Sequence, residues 1–179
     1  MNVLDNRALK EAIESEEHAE LIDGEIVIEN RTSVQHNSVI RLIANAIGNY
    51  ISSQELSCKV FTENVALYVN ELCEDDKNFF LPDVMVVCGD EGIKDDGVHS
   101  SPLFVAEVTS ESTKTNDYGI KLEIYKRIGV KEYWVVDLQR NVVFKYLSSE
   151  GYIPQTYMSP ESMKVSVYPN LMIDLSSVL

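Results

Sequence analysis

Two short apolar runs most constrain the fold: FFLPDVMVVCG at 79–89 and LFVAEVTS at 103–110. Neither alternates apolar with polar residues as a half-exposed strand does, so each reads as a strand covered on both faces. Such strands belong inside a sheet with helices on either side. Each run also carries one carboxylate, Asp83 in the first and Glu107 in the second. Pro82 lacks an N–H and biases Leu81 to extended backbone, so Asp83 opens its strand. Glu107 lies between Ala106 and Val108, where a charge is costly to bury unless it is paired or bound to a metal.

The rest of the chain supplies the helices. Residues 6–18 read as a first helix with Asp5 as its N-cap. Residues 19–30, AELIDGEIVIEN, place Asp23-Gly24 between two apolar arms, a hairpin signal. Over 34–52, Val39, Leu42, Ile43, Ala46, Ile47, Tyr50 and Ile51 recur at spacings of three and four, giving an amphipathic helix capped by Thr32 or Ser33. From Lys59, the alternation of Val60, Val65, Leu67 and Val69 reads as one long strand or a bent pair, followed by a solvated acidic loop, ELCEDDKN. The segment 89–102 is rich in Gly, Asp and Ser and reads as a loop long enough to border a site.

After the second run, residues 112–128 form a helix with Ile120, Ile124 and Ile128 on its apolar side, capped by Ser112 or Thr115 and ended by Gly129. KEYWVVDL, with Trp134 in the core, and VVFKYL follow as strands, and the tail adds shorter ones. The expected fold is a single α/β (α+β) domain over 1–179, a mixed central sheet flanked by helices with an N-terminal hairpin. No apolar run approaches the roughly 18 residues that span a membrane, and the start of the chain does not resemble a secretory signal. A cytoplasmic protein is expected. Cys58, Cys73 and Cys88 form no CxxC pair and make no ligand-like spacing with the histidines, so all three are expected to be free.

Charge bears on the partner. The formal net charge is −14, and nucleic-acid binding draws much of its affinity from Lys and Arg neutralising phosphates. Tight, non-specific duplex binding is therefore not expected. The one basic stretch is 110–131, where Lys114, Lys121, Lys126, Arg127 and Lys131 face three acids.

Within it, Asp117, Lys121 and Tyr125 stand at i, i+4 and i+8 in one column. Taken alone, Asp117 and Lys121 make a surface pair worth a few tenths of a kcal/mol. If this face tilts toward Glu107, two carboxylates on buried strands and a lysine come together. Such carboxylates can share one hard cation, and the lysine can assist a metal-bound water. That points to metal-dependent hydrolysis.

LPDVMVV and FVAEVTSESTKTNDYGIKLEIYKRIGVKEYWVVDL resemble the Uma-type restriction-endonuclease family of the PD-(D/E)XK nuclease superfamily. ELIDGEIV and the helix opening at His36 resemble it too, so the likeness covers residues 18–147. It implies a restriction-endonuclease-like fold and Mg²⁺- or Mn²⁺-dependent cleavage of DNA. Asp83 and Glu107 match the superfamily's two acids. The lysine expected two residues after Glu107 is replaced by Thr109, and the family's displaced lysine matches Lys121. The resemblance further implies Asp83, Glu107 and the Val108 carbonyl as metal ligands, Lys121 orienting or deprotonating water, and Asp117 holding Lys121. Glu20 and His36 are secondary candidates, each with an ordinary reading as a solvated acid and a structural helix-start residue. A homodimer is expected if both DNA strands are cut. The broken motif and the acidic charge keep two other readings open, an inactive binding or dimerisation module and a hydrolase of a smaller phosphoester.

Overall fold

A computed structural model describes residues 7–28, 32–109 and 114–179. In chain order the elements are α1 (Arg7–Ile13), β1 (Ala19–Ile22), β2 (Glu25–Ile28), α2 (Val34–Ser53), β3 (Cys58–Thr62), α3 (Val69–Cys73), β4 (Val84–Cys88), β5 (Ile93–Lys94) and β6 (Gly97–Val98). There follow β7 (Phe104–Thr109), α4 (Lys114–Tyr118), α5 (Ile120–Ile128), β8 (Glu132–Asp137), β9 (Val142–Leu147), β10 (Gln155–Met158), β11 (Met163–Lys164) and β12 (Met172–Ile173). The central sheet has the order β10-β9-β8-β7-β4-β3. Among the described residues its one parallel pair is β7 with β8, joined over α4 and α5, while the other neighbours are antiparallel.

The two apolar runs supply two adjacent interior strands of this sheet, β4 and β7, and both faces are covered. Val84, Val86, Phe104, Ala106, Val108, Trp134 and Val136 face α2, whose Val39, Ile43 and Ile47 are its buried stripe. The alternate residues Met85, Val87, Val105, Tyr133 and Val135 face α5 through Ile124 and Tyr125. The period-2 alternation of a strand thus assigns one residue set to each layer, and it sends Glu107 to the α5 side. Ser33 caps α2, its hydroxyl accepting from the His36 N–H at 3.1 Å. The Asp5 and Ser112 caps fall outside the described residues.

Several expectations are corrected. The first helix is shorter than 6–18, ending at Ile13. The alternation from Lys59 does not continue as strand to Val69. β3 ends at Thr62, Glu63 turns the chain with φ 46°, and Val69–Cys73 is a short helix occupying part of the expected acidic loop. The loop at 89–102 contains the β5–β6 hairpin. The helix after β7 is two helices broken at Gly119, where a Cβ would lie 2.9 Å from the Thr115 carbonyl oxygen. Gly129, at φ 85°, ends α5 in the left-handed region that favours glycine.

The cysteine expectation is also overturned. Cys58 and Cys88 are directly opposed in the β3–β4 ladder and form a disulfide, leaving only Cys73 as a buried free thiol. Opposed positions on neighbouring strands bring two side chains to one face at short range, whatever their separation in sequence.

A buried ion pair fixes the tail. Lys145 and Glu132 point into the α2 layer from β9 and β8, 3.2 Å apart. Lys145 also donates to the Lys164 carbonyl and the Ser166 hydroxyl, and Glu132 accepts from Trp134 and the Val167 N–H. This pair fastens 164–167 over the sheet.

Candidate active site

The site forms where β4 begins and β7 ends. β4 pairs with β7 so that Val84 lies opposite Ala106, which puts Asp83 beside Glu107. The two acids are laced together through each other's backbone. The Asp83 N–H donates to Glu107 Oε2 at 3.3 Å, and the Val108 N–H donates to Asp83 Oδ2 at 2.6 Å. From the first turn of α2, His36 Nε2 lies 3.3 Å from the same Asp83 oxygen. His36 is therefore part of the site and not only a helix-start residue.

Lys121 comes from α5 on the other side. Its Nζ is 2.8 Å from Glu20 Oε2, 3.2 Å from Glu107 Oε1 and 3.6 Å from Asp117 Oδ1. The i, i+4 column therefore tilts inward, and Asp117–Lys121 is a buried pair. Glu20 is not the solvated acid of its ordinary reading. It is 1 % exposed and is the carboxylate nearest Lys121, and its other oxygen accepts from the Leu81 N–H at 2.8 Å. Two tyrosines complete the group. Tyr125 donates to Glu107 Oε1 at 2.6 Å, and Tyr133 donates to the Asp117 carbonyl at 2.9 Å. The sequence marked Tyr125 only as the next step of the helical column; Tyr133 carries no signal beyond its apolar strand.

Electrostatics follow from crowding. Glu20, Asp83, Glu107 and Asp117 are all buried, with Lys121 and His36 as the basic groups beside them. Burial pushes the Glu107 carboxyl well above its usual range; Lys121 opposes that shift, while Asp83, Asp117 and Glu20 add to it. Burial pulls the Lys121 ammonium down, but Glu107, Glu20 and Asp117 outweigh it and hold the group well above an ordinary lysine. The surrounding carboxylates thus favour its charged form. Burial, and then Glu107, push the Tyr125 phenol up, so it remains a proton donor.

The donor set suits a particular kind of cation. Among the described residues no three His, Cys, Asp or Glu side chains gather as a ready metal cage. Two carboxylates do adjoin, and two of their oxygens keep acceptor capacity among the described residues. Asp83 Oδ1 receives no bond there, and Glu107 Oε2 receives only the long one from Asp83. Hard oxygens in that number fit Mg²⁺ or Mn²⁺, since Mg²⁺ is commonly held by one or two carboxylates and keeps several waters.

Three of the five cations of the basic stretch are already engaged. Lys121 is buried, Lys126 pairs with Glu123 at 3.8 Å, and Arg127 pairs with Asp75 at 3.2 Å while donating to the Cys73 carbonyl.

A family model named Uma2, described as "Putative restriction endonuclease", matches residues 5–176. The chain belongs to the Uma2 family. Its fold is that of a crystal structure from Anabaena variabilis titled "a putative nuclease belonging to DUF820", with a TM-score of 0.72 and 16 % identity over 96 % of each chain. No curated protein matches this Uma2 chain. The mixed sheet flanked by helices is thus the restriction-endonuclease-like arrangement. Among the described residues no helix is long and apolar enough to cross a membrane.

Proposed function

We propose that this Uma2 protein is a metal-dependent endonuclease that hydrolyses DNA phosphodiester bonds, with Asp83, Glu107 and Lys121 as its working residues. The carrying observation is the pair of interlaced carboxylates on adjacent strands, with a buried lysine 3.2 Å from one of them. Asp83, Glu107 and the Val108 carbonyl would hold Mg²⁺ or Mn²⁺. The bound ion supplies Lewis-acid stabilisation of phosphate charge and a more acidic water.

The protein's own groups have separable tasks. Asp83 is oriented by the Val108 N–H and by His36. Lys121 orients the attacking water or places positive charge beside the reacting phosphate. Glu20 and Asp117 keep that ammonium in place. Two copies acting together would be needed for both strands of a duplex to be cut at once.

A second reading is favoured by the pairing of Lys126 and Arg127 with acids. A chain of net charge −14 whose Lys126 and Arg127 lie beside acids is better matched to a small phosphodiester, which needs no tracking of a polyanion. One experiment separates the two. Supercoiled plasmid and bis-p-nitrophenyl phosphate are each incubated with protein and Mn²⁺, using Asp83→Asn, Lys121→Met and EDTA as controls. Nicking that D83N and EDTA abolish supports the nuclease. Turnover of the small ester alone supports the second reading. Loss of neither substrate, or turnover that survives D83N, removes the site from consideration.

A further inference from the structure

Tyr125 is completely buried on α5, one turn beyond Lys121, and its hydroxyl meets Glu107 Oε1. We propose that Tyr125 is a positioning residue that fixes the rotation of the Glu107 carboxylate, keeping one of its oxygens turned toward Asp83, and so sets the affinity of the site for its divalent cation. This rests on Asp83 and Glu107 being the metal ligands.

The argument begins with the acceptor capacity of one carboxylate. Glu107 Oε1 receives Tyr125 at 2.6 Å and Lys121 at 3.2 Å, which occupies both of its lone-pair directions. Oε2 receives only the Asp83 N–H at 3.3 Å among the described residues. The oxygen on the Asp83 side is therefore the one left able to bind a cation. Lys121 cannot impose this orientation by itself. Its ammonium is shared among Glu20, Glu107 and Asp117, and Glu20 is the nearest of the three. A three-donor group on a flexible stem tolerates rotation of any one partner. A phenol carries a single proton in the plane of a ring that packing has fixed.

That packing is well defined. The Tyr125 ring lies 5.6 Å from Phe80, edge to face, and 4.9 Å from Tyr133. A phenylalanine retains those contacts and removes only the hydroxyl. Position 125 thus allows orientation to be separated from core packing, and groups that orient a ligand commonly change metal affinity about 10–100-fold when removed.

The test compares Tyr125→Phe with the unaltered protein and with Glu107→Gln. Mn²⁺ binding is followed by calorimetry, and thermal unfolding is followed in EDTA. Mn²⁺ affinity is expected to fall about 10–100-fold in Y125F, with the melting temperature in EDTA changed by no more than a few degrees. In cleavage assays the lost rate should return as Mn²⁺ is raised toward saturation, a readout that a purely structural role would not give. If E107Q binds Mn²⁺ as tightly as the unaltered protein, the ligand assignment is wrong and the role of Tyr125 falls with it. If E107Q loses Mn²⁺ while Y125F keeps full affinity, the ligand assignment stands and the inference alone is overturned. A large loss of stability in Y125F with unchanged affinity overturns it equally.

Discussion

Glu107→Gln should make the metal-free protein more stable near neutral pH. Glu107 is 3 % exposed and stands among Asp83, Asp117 and Glu20. Glutamine keeps its shape. The amide oxygen can still accept from Tyr125 and Lys121, and Lys121 keeps Glu20 at 2.8 Å and Asp117 at 3.6 Å. The change loses the long bond from the Asp83 N–H, which the amide –NH₂ would now face, at a cost of about 1 kcal/mol. It removes one of four buried carboxylates grouped around Lys121, and relief of that ion's desolvation and of its repulsion by Asp83, Asp117 and Glu20, less its attraction to Lys121, gains roughly 2–4 kcal/mol. A net gain of about 1–3 kcal/mol corresponds to a melting temperature higher by roughly 3–10 °C for a chain of this size.

The sign with pH distinguishes this account from general stiffening. The Glu107 carboxyl is raised in the folded state, so its favourable contribution is complete below the ordinary glutamate range. That contribution is lost as pH rises through the raised value. The unaltered protein should therefore lose ground to E107Q between pH 5.5 and 8, both well above the pI of about 4.5. Differential scanning fluorimetry in EDTA at the two pH values is sufficient. A variant less stable than the unaltered protein at pH 8, or a gap that does not shrink at pH 5.5, would refute the reasoning.

Two further outcomes test other parts of the structure. Reduction of Cys58–Cys88 releases a loop with a sequence separation of 30 residues, and should cost about 2–4 kcal/mol. TCEP should lower the melting temperature of the unaltered protein but not that of Cys58→Ser, and equal response of the two would exclude the crosslink. Lys145→Met leaves Glu132 buried with its cation removed and should cost about 3–5 kcal/mol in urea unfolding; adding Glu132→Gln should recover part of the loss, and a neutral K145M would show that the pair does not hold 164–167.

What the sequence disclosed depended on whether the signal was local. Asp83 and Glu107 were legible because a charge in an apolar run is conspicuous wherever the run ends up. The amphipathic α2 and the Asp23-Gly24 hairpin were legible for the same reason, since each is a periodicity or a turn chemistry contained in a few residues. Glu20 was legible only through the family resemblance, because its burial comes from its position on β1, which places it against Leu81 and Lys121 from distant parts of the chain. Cys58–Cys88 was illegible. Spacing along the chain says nothing about cross-strand register, and register is what opposes the two residues. The break at Gly119 was hidden by the i, i+4, i+8 spacing of Asp117, Lys121 and Tyr125, which runs across it. Lys121 stands between these cases. Its column with Asp117 was visible, but the inward tilt of that column is a tertiary fact, and only the family resemblance pointed to it.

The same network explains how an acidic chain can hold so many buried acids and what that arrangement implies about substrate. Lys121 alone contacts three carboxylates, and hydrogen bonds from Tyr125, Val108, Leu81 and Asp83 supply much of the remaining stabilisation. Backbone N–H groups and phenols stabilise anions without adding net charge, so the cluster remains short of positive charge. A hard dication would be an economical remedy, because it would bring two charges to one point and could bind through water as well as carboxylate. A long polyanion is harder to accommodate. Its phosphates beyond the reacting one would meet the field of a −14 protein whose Lys126 and Arg127 are already paired. That repulsion acts over about one Debye length, roughly 10 Å at 0.1 M salt. If DNA is the substrate, salt should therefore weaken its binding far less than it does for nucleases that grip phosphates with free lysines and arginines.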